Sequence, residues 1–131
     1  MRLAAAALLV AALCLTGCGG NPQQQARKAV RDFVKATNDR DGHQYCDKLV
    51  TKAFVEDATG ATGKDARDVC KRQLNLQRVP KIHLVDIESI KVHGDRARVT
   101  ALLESGGESH PQVLLLRKQG GNWRIADASG D

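Results

Sequence analysis

Polar and apolar residues follow three different patterns along this 131-residue chain. An uninterrupted apolar run extends from Leu3 to Leu15 behind a single basic residue, Arg2. Apolar residues then recur with the period of a helix over residues 26–74, and with the period of a strand over residues 82–126. The pattern therefore predicts a short apolar leader, a helical half and a β half.

The helical half predicts three helices that are separated by turn residues. Each has one apolar face, and the breaks between them are rich in Asn, Asp and Gly, which favour caps and turns. Thr62 lies three residues before Asp65, a spacing typical of a helix start. The predicted helices cover residues 26–38, about residues 42–51, and a third segment that begins near Thr62.

The β half predicts four strands at residues 82–92, 96–104, 112–118 and 123–126. Short Gly-containing turns join them, so neighbouring strands are expected to pair antiparallel in a curved meander that covers the helical layer. In the first strand, Val85 and Ile87 are expected to face inward. The other predicted inward residues are Ala97, Val99, Ala101, Leu103, Val113, Leu115, Trp123 and Ile125.

The leader ends in Leu15-Thr16-Gly17-Cys18, which resembles a bacterial lipobox. The apolar run before it is too short to cross a bilayer core of ~30 Å but has the length of a signal peptide. The resemblance implies a lipoprotein signal peptide at residues 1–17 and lipid, including an acyl group such as palmitate, on Cys18. Residues 18–25 are then expected to tether the domain to the extracytoplasmic face of the cell membrane.

The chain has four cysteines, of which two remain for the folded domain. Cys14 leaves with the leader, and Cys18 carries the lipid. In an oxidising compartment, Cys46 and Cys70 are expected to form one disulfide, with two separate buried thiols as the alternative. A redox or metal pair is a third alternative, but their spacing matches no usual zinc motif.

Removal of residues 1–17 leaves 114 residues, in which 19 Lys and Arg residues face 15 Asp and Glu residues. This mildly basic chain has few aromatic residues for base stacking, so no nucleic-acid partner is expected.

Four cations of the first helix could instead contact anionic headgroups near the anchor. They are Arg27, Lys28, Arg31 and Lys35, and a purely solvated face is the alternative.

Three helices followed by this meander resemble the NTF2-like cone fold. The local signature is the apolar strand at Leu114-Leu115-Leu116, the turn at Gly120-Gly121 and the final strand from Trp123 to Ile125. The resemblance implies an α+β domain over residues 26–131, with a cystatin-like sheet around one helix as the alternative. The superfamily includes ketosteroid isomerases, SnoaL-like cyclases and non-catalytic binding domains, so the fold does not determine the function.

Enzymes of this superfamily place an aspartate base and Tyr or His donors inside the cone. The corresponding candidates are Tyr45, His83, Asp86 and His110, and Trp123 joins the first three as a candidate pocket residue. Asp86 alternates with apolar neighbours and is expected to face solvent. No catalytic triad, phosphate loop or metal motif is present, and no metal or cofactor is expected.

The sequence therefore favours a non-catalytic binding module of the cell envelope that holds a protein partner or a small apolar ligand. A small lyase or isomerase, or an accessory subunit of an envelope transport or secretion system, is the alternative.

Overall fold

The structure, a computed structural model, describes residues 21–128. The predicted signal peptide, the lipidation site at Cys18 and the start of the tether lie outside this range. Within the described range, four helices precede a four-stranded antiparallel sheet with strand order β1-β2-β3-β4. The elements are α1 Pro22–Asp39, α2 Gly42–Gln44, a π-helical turn Tyr45–Leu49, α3 Lys52–Thr59, α4 Gly63–Leu76, β1 Ile82–His93, β2 Arg96–Ser105, β3 Glu108–Gln119 and β4 Asn122–Asp127.

Helix α1 begins at Pro22, four residues before the predicted start, so the predicted tether is too long. Asn21 caps the helix, because its side chain accepts a hydrogen bond from Gln24 N at 2.8 Å. Pro22 fits the first turn, where a backbone N–H has no helical partner. An apolar stripe that includes Ala26 and Val30 lies buried against the sheet.

The predicted second helix proves to be two segments and is followed by a helix that was not predicted. Helix α2 passes into the π-helical turn, which ends before Val50, and Val50 pairs in parallel with Ile125 of β4. Thr51 N then donates to Ile125 O at 2.9 Å, and Thr51 Oγ1 caps α3. An extended residue beside β4 therefore lies at the end of the predicted second helix and precedes α3, for which no helix was predicted.

A disulfide joins Cys46 of the π-helical turn to Cys70 of α4, as predicted. Their Cα atoms lie 6.1 Å apart, and both residues are buried among the apolar side chains of the core. The bridge closes a segment of 24 residues that contains the whole of α3. It therefore ties the two helical segments on either side of α3 to each other.

The register of β3 differs by one residue from the prediction. Ala97 pairs with Leu116 and Val99 pairs with Leu114, so these residues share the buried face of the sheet. Val113 and Leu115 therefore lie on the opposite face, which we call the outer face, and 38% of Leu115 is exposed. A run of four apolar residues contains no alternation from which the register could be read.

Strand β1 is irregular, and this corrects the predicted orientation of Val85. The pairing with β2 shifts after Leu84 and again after Ile87. An extra residue in one strand reverses the alternation beyond it. Ile87 is buried as predicted, whereas 52% of Val85 is exposed.

Candidate functional site

The structure does not gather the four predicted pocket residues into one site. Trp123 is buried in the core, and Tyr45 packs against Phe33 with 5.3 Å between the ring centroids. Burial raises the pKa of the Tyr45 phenol. His83 and Asp86 are both exposed. The two rings therefore serve packing, and the two titratable strand residues face solvent.

Asp86 is the residue that an enzyme of the expected kind would use as a base. Its Oδ1 accepts a hydrogen bond from Ile87 N at 2.8 Å, next to the first irregularity of β1. The carboxylate thus satisfies the adjacent backbone in an exposed strand. A general base works in an enclosed site beside its substrate, whereas Asp86 is exposed.

A cluster of charges surrounds Asp47, next to the disulfide. Asp47 Oδ2 contacts Lys71 Nζ at 2.8 Å and His43 Nδ1 at 3.0 Å, and Arg67 Nε lies 3.7 Å from Oδ1. Partial burial raises the pKa of Asp47, but the hydrogen bonds and charges of Lys71 and His43 outweigh it and hold the pKa below its ordinary value. Arg124 donates to the Asp47 carbonyl at 2.8 Å. Because Asp47 and Lys71 directly follow the bridged cysteines, the cluster reinforces the same helix junction.

The cations on α1 are partly neutralised by carboxylates of the same helix. Lys28 pairs with Asp32, and Lys35 pairs with Asp39, each across one helical turn. Arg31 remains exposed, and Arg27 is partly buried. This helix face is therefore less cationic than its four basic residues alone suggest.

The structure reveals a groove of about 710 Å³ that the sequence analysis did not identify. It lies where α3 meets the strand ends that surround the β1–β2 turn. Its apolar lining comes from Ala53, Phe54, Ala97, Leu115, Leu116 and Ala126, and its acidic lining from Asp57 and Asp127. We call it the basic groove, because its other lining residues include Lys91, His93, Arg96, Arg98, Arg117 and Lys118.

Hydrogen bonds donated by backbone N–H groups hold both walls of the basic groove in place. On the helix side, Lys52 N donates to Gln119 Oε1 at 3.2 Å and Phe54 N donates to Thr51 Oγ1 at 3.1 Å. On the strand side, Lys118 N donates to Asp95 O at 2.9 Å. The groove is therefore built from regular elements that are joined to one another.

The strand wall of the basic groove places cations directly opposite one another. Lys91 pairs with Arg98, and Arg96 pairs with Arg117, in the register of neighbouring strands. None of these four cations makes an ion pair with any of residues 21–128. Like charges in opposite positions of a sheet destabilise it.

A sequence signal for this wall does exist, and it was missed. In residues 96–99, Arg alternates with Ala and Val, so the two arginines must share the face opposite the buried residues. Placing Arg117 opposite Arg96 also requires the register of β3, and the apolar run at residues 113–116 does not reveal that register. The groove also requires α3, which the sequence analysis did not predict.

The described residues contain no group of three or more His, Cys, Asp or Glu side chains that could hold a metal ion. Within residues 21–128, no helix combines the length and the apolar character that crossing a membrane requires.

Comparison with known proteins supports the fold alone. No protein-family model matches the chain, and no curated protein matches it. A protein whose name contains NTF2 matches with a TM-score of 0.54 and 17% identity, over 80% of this chain and 95% of that one. A protein of unknown function from Mycobacterium tuberculosis matches with a TM-score of 0.53 and 17% identity, over 82% and 70% of the two chains.

A third structure comes from Kribbella flavida, and its name proposes a ketosteroid isomerase. It matches with a TM-score of 0.50 and 20% identity, over 80% of this chain and 77% of that one. With four helices and a curved antiparallel sheet, the fold is NTF2-like, as the resemblance implied. At these identities the likeness carries no activity from one chain to another.

Proposed function

We propose that this chain is a lipid-anchored protein of the extracytoplasmic membrane surface, and that its NTF2-like domain is a non-catalytic binding or interaction module. The anchor rests on Leu15-Thr16-Gly17-Cys18 behind an apolar leader. Helix α1 begins only four residues after Cys18. Four residues span at most about 14 Å, so the domain would sit close to the headgroups.

The observation that carries the binding role is the composition of the interior. Thr51 is the only buried polar or charged residue within residues 21–128, and its hydroxyl caps α3. The buried residues of the sheet are all apolar: Ile87, Ala97, Val99, Ala101, Leu114, Leu116, Trp123 and Ile125. Such side chains pack or bind, but they cannot transfer protons. Such an interior packs the domain and offers no group for a reaction, so a module that binds at its surface fits these residues better than an enzyme.

The enzyme alternative has weaker support. The name of the Kribbella flavida structure proposes an isomerase, and an isomerase of this fold would need an enclosed acid or base. Here Asp86 and His83 are exposed, and Tyr45 packs against Phe33. Purified protein that catalysed an isomerisation or elimination, and lost that activity in Asp86→Asn, would contradict the binding module. An accessory role in envelope transport or secretion is compatible with the same features.

The anchor is tested by the detergent partitioning of two cysteine variants. We expect Cys18→Ser to remain an unlipidated precursor or to be released, and to move from the detergent phase to the aqueous phase. Cys14→Ser is the matched control, since Cys14 would leave with the leader, and it should partition like the parent protein. A Cys18→Ser protein that is still cleaved, lipid-bearing and membrane-bound would contradict the proposal.

Contact between α1 and anionic headgroups is a secondary part of the proposal. Lys28 and Lys35 already have carboxylate partners, which leaves Arg31 and Arg27 as the main contributors. We expect charge reversal at Arg31 to weaken the association with anionic vesicles, and added salt to weaken it further. Equal association with anionic and neutral vesicles at low salt would contradict this contact and support the alternative, a purely solvated face of α1.

A further inference from the structure

We propose that the basic groove binds an organic anion that carries an apolar chain or ring. This inference rests on the proposed binding function and names the ligand class. The groove has the volume of a small-molecule site, at about 710 Å³. Such sites are mostly apolar and fix the ligand with a few polar groups. The basic groove has both kinds of lining, and they come from different parts of the fold.

The charged part of the site is the strand wall. Lys91, Arg98, Arg96 and Arg117 lie in two adjacent rows on the outer face, and each row places two cations directly opposite one another. An anion between the rows would interact with several of these cations at once. Arg pairs with carboxylate or phosphate through two parallel hydrogen bonds, which favours these two anionic groups.

The apolar part of the site comes from both the sheet and α3. Leu115 follows Arg98 in the same cross-strand row and is 38% exposed. Phe54 and Ala53 of α3 also line the groove. An inorganic anion would leave these side chains unused. An alkyl or aryl group next to the anionic head would cover them.

Charge balance within the groove also favours an anionic ligand. Asp57 and Asp127 are its two carboxylates, against five Lys and Arg side chains and His93. Lys118 lies over the Trp123 ring, with its Nζ 5.3 Å from the ring centroid. The other four cations have no carboxylate partner within residues 21–128. A bound anion would relieve the repulsion within the two opposed pairs.

The test is calorimetric titration of the full lipidated protein in phosphatidylcholine nanodiscs, with empty discs as the blank. Hexyl phosphate is the probe, and inorganic phosphate and hexanol represent its head and its tail. We expect saturable binding of hexyl phosphate that is tighter than that of either fragment and weakens with salt. Equal binding of either fragment, or no saturable binding, would overturn the proposal.

Variants then assign the binding to the basic groove. Arg98→Gln and Arg117→Gln should each weaken hexyl phosphate binding roughly three- to tenfold, because each removes a charge-assisted contact. Leu115→Asn should reduce the ratio of the affinity for hexyl phosphate to the affinity for inorganic phosphate. Arg72→Gln is the control, since Arg72 is exposed on α4 and does not line the groove. An equal loss of binding in Arg72→Gln would overturn the assignment.

Two further outcomes separate this inference from the proposed function. Loss of hexyl phosphate binding when phosphatidylglycerol replaces phosphatidylcholine would show that the anionic lipid occupies these cations; it would assign them to the membrane surface and overturn the ligand proposal. Co-elution of the protein with the disc reports the lipid anchor independently, and the groove variants should leave it unchanged. A protein that stays in the disc but does not bind hexyl phosphate contradicts the groove and leaves the anchor intact.

Discussion

The helical layer and the outer face of the sheet both carry many charged side chains, but they arrange them differently. On α1 and α4, lysines pair with aspartates across one helical turn, as in Lys28 with Asp32 and Lys64 with Asp68. On the sheet, Lys91 faces Arg98 and Arg96 faces Arg117. The first arrangement supports the helices, whereas the second works against folding. Charges that weaken a sheet are best explained by a task outside folding.

The largest expected effect tests which residues of β3 belong to the core. Leu114 is fully buried and Leu115 is partly exposed, so Leu114→Ala should lower the free energy of unfolding by about 2–5 kcal/mol and Leu115→Ala by much less. Urea titration of both variants measures the difference. A larger loss of stability in Leu115→Ala than in Leu114→Ala would support the register predicted from the sequence. In that register Leu115 faces the core and does not line the basic groove.

Removal of the disulfide should lower the free energy of unfolding by nearly as much, because the bridge holds the helical layer together. Replacing both Cys46 and Cys70 with alanine removes the closure of the 24-residue segment, and we expect a loss of about 3–4 kcal/mol in the chain-entropy model. Chemical unfolding of the variant and the parent gives this value. Labelling of the native, non-reduced protein is the independent check: thiol reagents that modify Cys46 and Cys70 without reduction would rule the bridge out.

The Asp47 cluster should contribute less, and its contribution should depend on pH. We expect Asp47→Asn to lower the free energy of unfolding by about 1–3 kcal/mol at neutral pH, because partly buried hydrogen bonds to charged groups are lost. The pKa of Asp47 is lowered in the folded state, so its stabilisation is present above the ordinary value of 3.8 and is lost as pH falls below it.

The pH dependence is measured by chemical unfolding of Asp47→Asn and the parent at pH 7 and at about pH 3. The difference between them should shrink at the lower pH. Asp32→Asn is the control for an exposed helical pair and should show a smaller effect at pH 7. A difference between Asp47→Asn and the parent that persists unchanged at low pH would contradict the electrostatic explanation.

The sequence predicted the parts of this fold in which local patterns are unambiguous. The apolar stripe on α1 and the Gly-containing turns are predicted by local spacing, and the pairing of Cys46 with Cys70 is predicted by the number of cysteines left for the folded domain. The π-helical turn and Val50 were not, because their conformation depends on a partner residue, Ile125, that lies 75 positions away. Long-range pairing of this kind leaves no periodic signal in the chain.

The candidate site was harder to predict than the fold. The sequence directed attention to Tyr45, His83 and Asp86 because their side chains can carry out chemistry, and the structure does not bring them together. The basic groove depends instead on the register between β2 and β3 and on α3. Neither could be read from the sequence, since the run Val113-Leu114-Leu115-Leu116 fits both registers equally well.

A double-mutant cycle on Arg96 and Arg117 most directly tests the claim that opposed cations destabilise the sheet while ion pairs stabilise the helices. Each single change to Gln removes half of a repulsive pair, so we expect each to raise the free energy of unfolding slightly, by about 0.2–1 kcal/mol. The coupling should be unfavourable for Arg96 with Arg117 and favourable for Lys64 with Asp68, measured by urea unfolding in the same buffer. A favourable or zero coupling between the two arginines would contradict the account.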